Sequence, residues 1–324
     1  MLLIENEINL KNINNVIFGG AGFIGSSLID KLLESGQNVV CIDNLFSGSL
    51  SNLIHLKNNK KFFFIKHNIL DLITCKIPID RIWHLACPAS PNLYQKDPLL
   101  TIRINYEGTL NILNLAREYD SKILFTSTSE IYGMTNCIPQ SEEIPISLKT
   151  YSPRACYSEG KRIAETLLST YSIINSMDIK IARIFNTYGP RLKENDGRVI
   201  STFLYQAFHK KSLTIYGDGS QTRSFCYISD LIDGLIKLMN SNYKKPINLG
   251  NDEEITILQL AKLIRKKVNP YLDLDFKKLP IDDPKYRKPC IKLAKEHLDW
   301  EPIINLEEGL DNFIEFYKRN KNSK

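Results

Sequence analysis

Val16-Ile17-Phe18-Gly19-Gly20-Ala21-Gly22-Phe23-Ile24-Gly25 decides how this chain folds. An apolar, β-branched run enters glycines at positions 19, 22 and 25, and a helical pattern follows over Ile24–Glu34. Glycines so spaced between a strand and a helix permit a tight turn and bring backbone close to a pyrophosphate, whose charge sits at the helix N-terminus. A glycine triplet alone is a weak signal. Here the next apolar run, Asn38–Asp43, ends in an acidic residue about twenty positions on, where a dinucleotide fold needs one. A carboxylate there accepts hydrogen bonds from an adenine ribose diol and repels a 2′-phosphate, so the expected cofactor is NAD rather than NADP.

Outward from that turn, the first half of the chain alternates short apolar runs with helical stretches, the rhythm of βαβ units. It predicts strands at Val16–Gly20, Asn38–Asp43, Phe62–His67, Arg81–Ala86, Lys122–Thr128 and Ile179–Asn186. Helices are predicted at Ile24–Glu34, Thr101–Glu118 and Cys156–Ile174. After Asn186 the rhythm breaks into loops at Gly189-Pro190-Arg191, Asn195-Asp196-Gly197 and Pro280–Pro284. Helices are expected near Val199–His209, Asp230–Asn240, Thr256–Lys267 and Leu306–Lys318. The fold class is therefore α/β: a Rossmann-like doubly wound parallel sheet with a smaller C-terminal α/β lobe. We expect a nucleotide-binding part over residues 1–186 and a second part over 187–324, interleaved with the first and not independent of it.

Composition narrows the function classes. The 324 residues suffice for a large core, and a net charge of +6 from 42 basic and 36 acidic residues is only mildly basic. Part of the excess lies in Tyr317–Lys324, a solvated tail in character and a poor candidate for nucleic-acid binding. Seven dispersed cysteines without a CxxC pair read as reduced thiols of a cytosolic protein, with neither a disulfide frame nor a metal site. Met1 to Asn15 carries Glu5 and Glu7 and lacks the basic-then-apolar order of a signal peptide, and no apolar run reaches membrane-spanning length.

Tyr157-Ser158-Glu159-Gly160-Lys161 carries the chemistry. A Tyr and a Lys four apart share one helix face, and the ammonium favours the phenolate, which makes the phenol a general base for a sugar hydroxyl that a nicotinamide then oxidises. The bland alternative, an exposed Tyr beside a solvated Lys, is answered by the dinucleotide turn upstream and by Ser129-Glu130 between the two.

Several longer stretches go further: HLACPASP (His84–Pro91), DPLLTIRINYEGTLN (Asp97–Asn111), TSTSEIYG (Thr126–Gly133), SPRACYSEGKRIAET (Ser152–Thr166), ARIFNTYGPR (Ala182–Arg191), DGRV (Asp196–Val199), YGDGSQTRSFCYISD (Tyr216–Asp230) and DDPKYRKP (Asp282–Pro289). From Val16 to Pro302 the chain resembles the extended short-chain dehydrogenase/reductases, and among them the UDP-glucuronate decarboxylases, also called UDP-xylose synthases. ACPASP, RACYSEGKR and GSQTRSF are the specific matches; the glycine turn and YxxxK belong to the whole superfamily.

The resemblance implies decarboxylation of UDP-glucuronate to UDP-xylose with recycled NAD. Tyr157 takes the proton of the 4-hydroxyl, Lys161 holds the nicotinamide ribose, Thr128 or Ser129 bonds the C4 oxygen, and Glu130 manages protons near C5. Arg287 meets the sugar carboxylate and Arg223 the diphosphate; guanidinium suits both because its fork makes paired charge-assisted bonds. Arg103, Asn111, Asn186 and Arg191 are further candidates for substrate contacts. The cofactor would be held by Gly19, Gly22, Phe23, Ile24, Gly25, Asp43, Asn44, Phe46, Ser47, Gly48, Asn68, Ile69, Leu85, Cys87 and Thr126, with Tyr157 and Lys161. No metal is expected. The family also implies a homodimer through a four-helix bundle of Thr101–Glu118 and Cys156–Ile174, with Ile102, Leu110, Ile112, Leu113, Leu167 and Leu168 available for it.

Four positions depart from the family pattern: Asn68 for an Asp, Phe18 for a Thr, Ser158 for an Asp, and Cys290 for an acidic residue. None removes a group the mechanism needs. The nearest rival is a nucleotide-sugar 4,6-dehydratase, where an Asp acid stands in the place of Ser129, and a 4-epimerase is a third. A non-catalytic NAD-binding sensor or scaffold is the rival from another class, and such proteins typically lose the Tyr or the Lys retained here.

Overall fold

The computed structural model describes residues 2–3, 12–279 and 285–322. The predicted loop Pro280–Pro284, the Asp282-Asp283-Pro284 part of the DDPKYRKP motif, Glu5, Glu7, Ser323 and Lys324 lie outside the described residues.

The buried apolar runs become a seven-stranded sheet. Its strands are β1 (Ile13–Phe18), β2 (Val39–Asp43), β3 (Phe62–Lys66), β4 (Ile79–His84), β5 (Lys122–Thr128), β6 (Ile179–Ile184) and β7 (Ile247–Leu249). The spatial order is β7-β6-β5-β4-β1-β2-β3. Registers are parallel: Asn15 faces Val39, Ile13 faces Ile79, Val39 faces Phe62 and Arg81 faces Lys122. Strand β2 is buried along its whole length, as a strand covered on both faces must be. Helices α1 (Phe23–Glu34), α2 (Thr109–Glu118) and α3 (Ala155–Asn175) supply the cover. Val16, Phe18, Val40 and Ile42 join Ile112, Leu113, Ala164 and Leu168 in one core cluster. On the opposite face, Ile29 of α1 and Cys41 of β2 close over Gly20, where an added Cβ would lie 2.5 Å from the Cys41 sulfur.

This is the doubly wound parallel sheet expected, with the order of strands reversing between β1 and β4. Three differences from the expectation have physical causes. Strand β1 ends at Phe18 instead of Gly20, because Gly19, still donating to the Ile42 carbonyl at 2.9 Å, turns to φ +81° and ends the extended run. The predicted helix Thr101–Glu118 is a helix Pro98–Arg103, a π-turn Ile104–Gly108 and then α2. Strand β7 went unpredicted because three residues are too short to display a period. One expectation is overturned outright. Ile112, Leu113 and Leu168, taken as available for a partner subunit, are fully buried against the chain's own sheet.

The chain forms two compact units, the first Met1–Ile131, Leu148–Arg183 and Leu235–Ile247, the second Tyr132–Ser147, Ile184–Gly234 and Asn248–Lys324. The second contains the helices Val199–Phe208, Ile257–Val268 and Leu306–Asn322, and three two-stranded ladders. In two of these ladders Thr222–Ser224 runs antiparallel to Glu254–Thr256, and Thr187–Tyr188 runs parallel to Cys226–Tyr227.

Candidate active site

The cofactor cradle lies at the point where the strand order reverses. A Cβ on Gly19 would sit 2.8 Å from the Ala86 nitrogen beyond β4, so the loops after β1 and β4 approach as closely as backbone allows. A Cβ on Gly25 would run into the Gly19 carbonyl oxygen and lie 2.7 Å from Gly20 Cα. Gly22, extended, begins α1 without a side-chain cap, and the first turn carries no acidic residue. The N–H groups of Phe23 and Ile24 at that start have no intrahelical acceptor, which is the arrangement that receives an anion.

Asp43 ends β2, where its carboxylate accepts hydrogen bonds from Ala21 N at 3.0 Å and Leu45 N at 2.7 Å. Burial pushes its carboxyl above the usual range, and those two bonds oppose the shift. Asn44 caps the following turn by accepting from Phe46 N at 3.0 Å. Phe46 and Ser47 are exposed, and a Cβ on Gly48 would lie 2.9 Å from the Ala21 carbonyl carbon. Asn68 accepts from Leu70 N through its amide oxygen at 3.1 Å. The Ile69 carbonyl accepts from Asn111 Nδ2 at 2.9 Å, and Leu85 N donates to Phe18 O at 2.9 Å. An uncapped helix start, a backbone-lined turn that excludes side chains and a terminal carboxylate fit a dinucleotide.

Tyr157 and Lys161 lie on one face of α3, both buried. The Tyr157 ring stacks on Tyr94 with centroids 4.7 Å apart and planes 4° apart. Lys161 Nζ donates to the Thr126 carbonyl at 2.8 Å and stands 4.4 Å over the Phe125 ring. Burial lowers the Lys161 pKa, while Cys87 and Glu165 pull it the other way. Burial also pushes up the Cys87 thiol, whose sulfur accepts from Asn105 Nδ2 at 3.3 Å. Asn105 sits in the π-turn and packs on Gly160, where a Cβ would meet its Nδ2 at 2.9 Å. One helical turn beyond Lys161, Glu165 takes a two-point bond from Arg183, at 3.1 Å from Nε and 2.8 Å from NH2.

At the end of β5, Thr128 and Ser129 are buried, and Thr128 Oγ1 accepts from Glu130 N at 3.2 Å. Glu130 Oε1 lies 3.6 Å from Arg154 NH1. Lys161 is thus tied to the Thr126 carbonyl, and Glu130 is bonded to Thr128 and faces Arg154. Tyr94, Arg154, Asn105 and the Arg183–Glu165 pair were not singled out from the sequence. Arg154 and Glu165 lie inside the SPRACYSEGKRIAET stretch already noticed, while Tyr94 carries no signal of its own.

Of the arginines, Arg103 is exposed and bound through Nε and NH2 to Glu107, an ordinary surface pair. In the second unit Arg223 is buried, with NH1 donating to the Thr222 carbonyl at 2.7 Å. Asn186 Nδ2 donates to the Ser224 carbonyl at 3.4 Å, and Arg191 adopts φ +69°. Arg287 is half-buried, and its carbonyl accepts from Ser224 Oγ at 3.4 Å. Among the described residues no group of His, Cys, Asp or Glu could hold a metal ion, and no helix is long and apolar enough to cross a membrane. All seven cysteines are free thiols.

A family model described as GDP-mannose 4,6 dehydratase matches residues 16–313. "UDP-glucuronic acid decarboxylase 3" of Arabidopsis thaliana is 48% identical over 300 residues, which cover 92% of this chain and 87% of that protein. The chain belongs to the UDP-glucuronic acid decarboxylase family. "UDP-glucuronic acid decarboxylase 1" of Xenopus tropicalis is 46% identical over 304 residues, covering 94% of this chain and 72% of the relative. Among solved structures, a UDP-glucuronic acid 4-epimerase from Bacillus cereus, in complex with UDP-glucuronic acid and NAD, matches with a TM-score of 0.84 at 28% identity. That match covers 95% of this chain and all of the epimerase. For a member of the decarboxylase family, the departures at positions 18 and 158 have local explanations. Phe18 is fully buried in the sheet core, and Ser158 Oγ donates to the Arg154 carbonyl within its own helix at 3.2 Å.

Proposed function

We propose that this chain is an NAD-dependent UDP-glucuronate decarboxylase that forms UDP-xylose. The buried Tyr157–Lys161 pair on one face of α3, with Lys161 bonded to the Thr126 carbonyl of β5, is the observation that carries the proposal. Bound NAD supplies a reversible hydride acceptor for C4 of the sugar.

Tyr157 takes the proton from the 4-hydroxyl as general base, and Tyr94, stacked beneath its ring, fixes the plane of the phenol. Lys161 holds the nicotinamide ribose and favours the phenolate, its own direction set by the Thr126 carbonyl. Ser129 or Thr128 donates a hydrogen bond to the C4 oxygen. Once C4 is a ketone, the C6 carboxylate is β to a carbonyl. The C5–C6 bond then breaks with its electron pair passing into an enolate, and CO2 leaves. Glu130, oriented by Arg154, governs the proton or water that returns to C5. Tyr157 gives its proton back to the C4 oxygen as the hydride returns, so no net oxidation occurs. Arg287 takes the sugar carboxylate and Arg223 the diphosphate, while Asn186 and Arg191 lie in the same unit as candidates for sugar or nucleotide contacts.

A homodimer is part of the proposal. Ile102, Tyr106 and Ile163 are exposed on the stretches expected to pair, which supports it. Light scattering that finds a monomer at micromolar concentration would sink it. Cytosolic residence is the natural home of seven free thiols.

The test of activity is proton NMR of UDP-glucuronate with purified protein, beside a Tyr157→Phe control. UDP-xylose without added reductant, absent in the control, is the expected result. No turnover of UDP-glucuronate together with dehydration of another nucleotide sugar would replace the proposal with the dehydratase.

A further inference from the structure

Asn248, in the middle of β7, is completely buried, and four hydrogen bonds meet on it. The Tyr132 hydroxyl donates to its Oδ1 at 2.6 Å. Its Nδ2 donates to the Gln140 carbonyl at 3.0 Å and the Cys290 carbonyl at 3.2 Å. Its backbone N–H donates to Glu142 Oε1 at 2.7 Å. All of these residues belong to the second unit.

Around this amide, Gln140 N donates to the Lys288 carbonyl and Cys290 N to the Gln140 carbonyl, both at 2.8 Å. The two bonds form a parallel bridge between Gln140 and Pro289, and Arg287 stands just before it. On the other side, Thr222 N donates to the Lys285 carbonyl at 3.1 Å, and Ser224 Oγ reaches the Arg287 carbonyl. The segment that carries Arg287 is thus held through its main chain.

We infer that Asn248 is a positioning residue for Arg287: its carboxamide sets the register of segment 285–290 and so the place at which the guanidinium meets the sugar carboxylate. The inference rests on the role proposed above for Arg287. One acceptor toward Tyr132 and two donors toward carbonyls are what a primary amide offers, and a carboxylate would set oxygen against oxygen in a buried place. Arginine binds a carboxylate through two parallel bonds, so a displacement of about an ångström is felt in binding. The same network accounts for Cys290. At position 290 the backbone N–H and carbonyl do the holding, and the side chain that differs from the family pattern takes no part in the bridge.

The experiment measures binding of UDP-glucuronate and of UDP-glucose, which has a hydroxymethyl in place of the carboxylate, to NAD-loaded protein in a Tyr157→Phe background where turnover is blocked. Asn248→Ala is expected to weaken UDP-glucuronate at least tenfold and UDP-glucose less than twofold. Tyr132→Phe, which removes one bond and keeps the shape, should weaken UDP-glucuronate about threefold in the same selective way. In an Arg287→Ala background neither change should add anything. Equal weakening of both ligands, or additive losses with Arg287→Ala, would overturn the inference and leave Asn248 a residue of general stability. If Arg287→Ala by itself fails to discriminate the ligands, the carboxylate role of Arg287 falls first and the inference with it. Should Asn248→Ala not fold, Tyr132→Phe decides by the same criteria.

Discussion

The glycine turn after β1 and the segment that carries Arg287 are both read as anion holders, yet they are built from different materials. The turn is local. Gly19, Gly22 and Gly25 lie within one strand–turn–helix, and the forces at work are steric exclusion and the uncapped start of α1. The Arg287 segment is non-local, tied through main-chain bonds to Gln140, Thr222 and Ser224, and through Cys290 to Asn248. A local device depends on which residue types stand in order. A non-local one depends on partners that sequence order does not bring together, and it can tolerate a change of side chain wherever only backbone is gripped.

The largest effect belongs to the local side. Tyr157→Phe should lower kcat by about 10³ while NAD stays bound, because general acid–base catalysis contributes on that scale; single-turnover kinetics with an NAD titration would check it. Next, Gly25→Ala should weaken NAD by about 10- to 100-fold, since the overpacking costs about 1–3 kcal/mol and backbone cannot yield cheaply. Calorimetry and a thermal melt, run together, separate lost affinity from lost fold. On the non-local side, Arg287→Ala should cost about 10- to 100-fold in kcat/KM for UDP-glucuronate, the worth of about 1.5–3 kcal/mol for bonds to a charged group, with NAD affinity unchanged. A comparable loss of NAD affinity would show the two regions are not separable.

Smaller again is a pH effect at Asp43. Its carboxyl is raised by burial, so the charged form is disfavoured by the fold. Its contribution to apo stability is therefore present at low pH and lost as pH rises through the raised pKa. Acceptance of a ribose hydrogen bond has the opposite sign. NAD affinity should fall as pH drops through that pKa, starting above the ordinary carboxylate range, and Asp43→Asn should flatten this part of the profile. The smallest effect is predicted for Cys290→Ser, within twofold in kcat/KM; a larger loss would mean that the side chain, and not only the backbone, helps to place Arg287.

The same contrast explains what could be read in advance. Asp43, the glycines, Tyr157 and Lys161 announced themselves because each lies in a short-range pattern whose chemistry is set by spacing. Strand β7 and Asn248 did not, since three buried residues have no visible period and their partners lie on other segments. Tyr94 was hidden for a similar reason: its stacking partner Tyr157 is far along the chain, and an aromatic after HLACPASP carries no signal of its own. Ile112, Leu113 and Leu168 were misjudged because helical periodicity identifies an apolar stripe without saying whether a sheet or another subunit will cover it.

The bond between Asn248 and Gln140 spans 108 residues, and those to Tyr132 and Glu142 span 116 and 106. During synthesis the arm Tyr132–Ser147 must therefore leave the ribosome well before the strand that will secure it. At roughly 5–20 residues per second, that interval is on the order of five to twenty seconds. Throughout it Tyr132 and Gln140 lack their final partner, and the piece Leu235–Ile247 of the first unit has yet to emerge. A nascent chain paused short of residue 248 is a natural client for a chaperone.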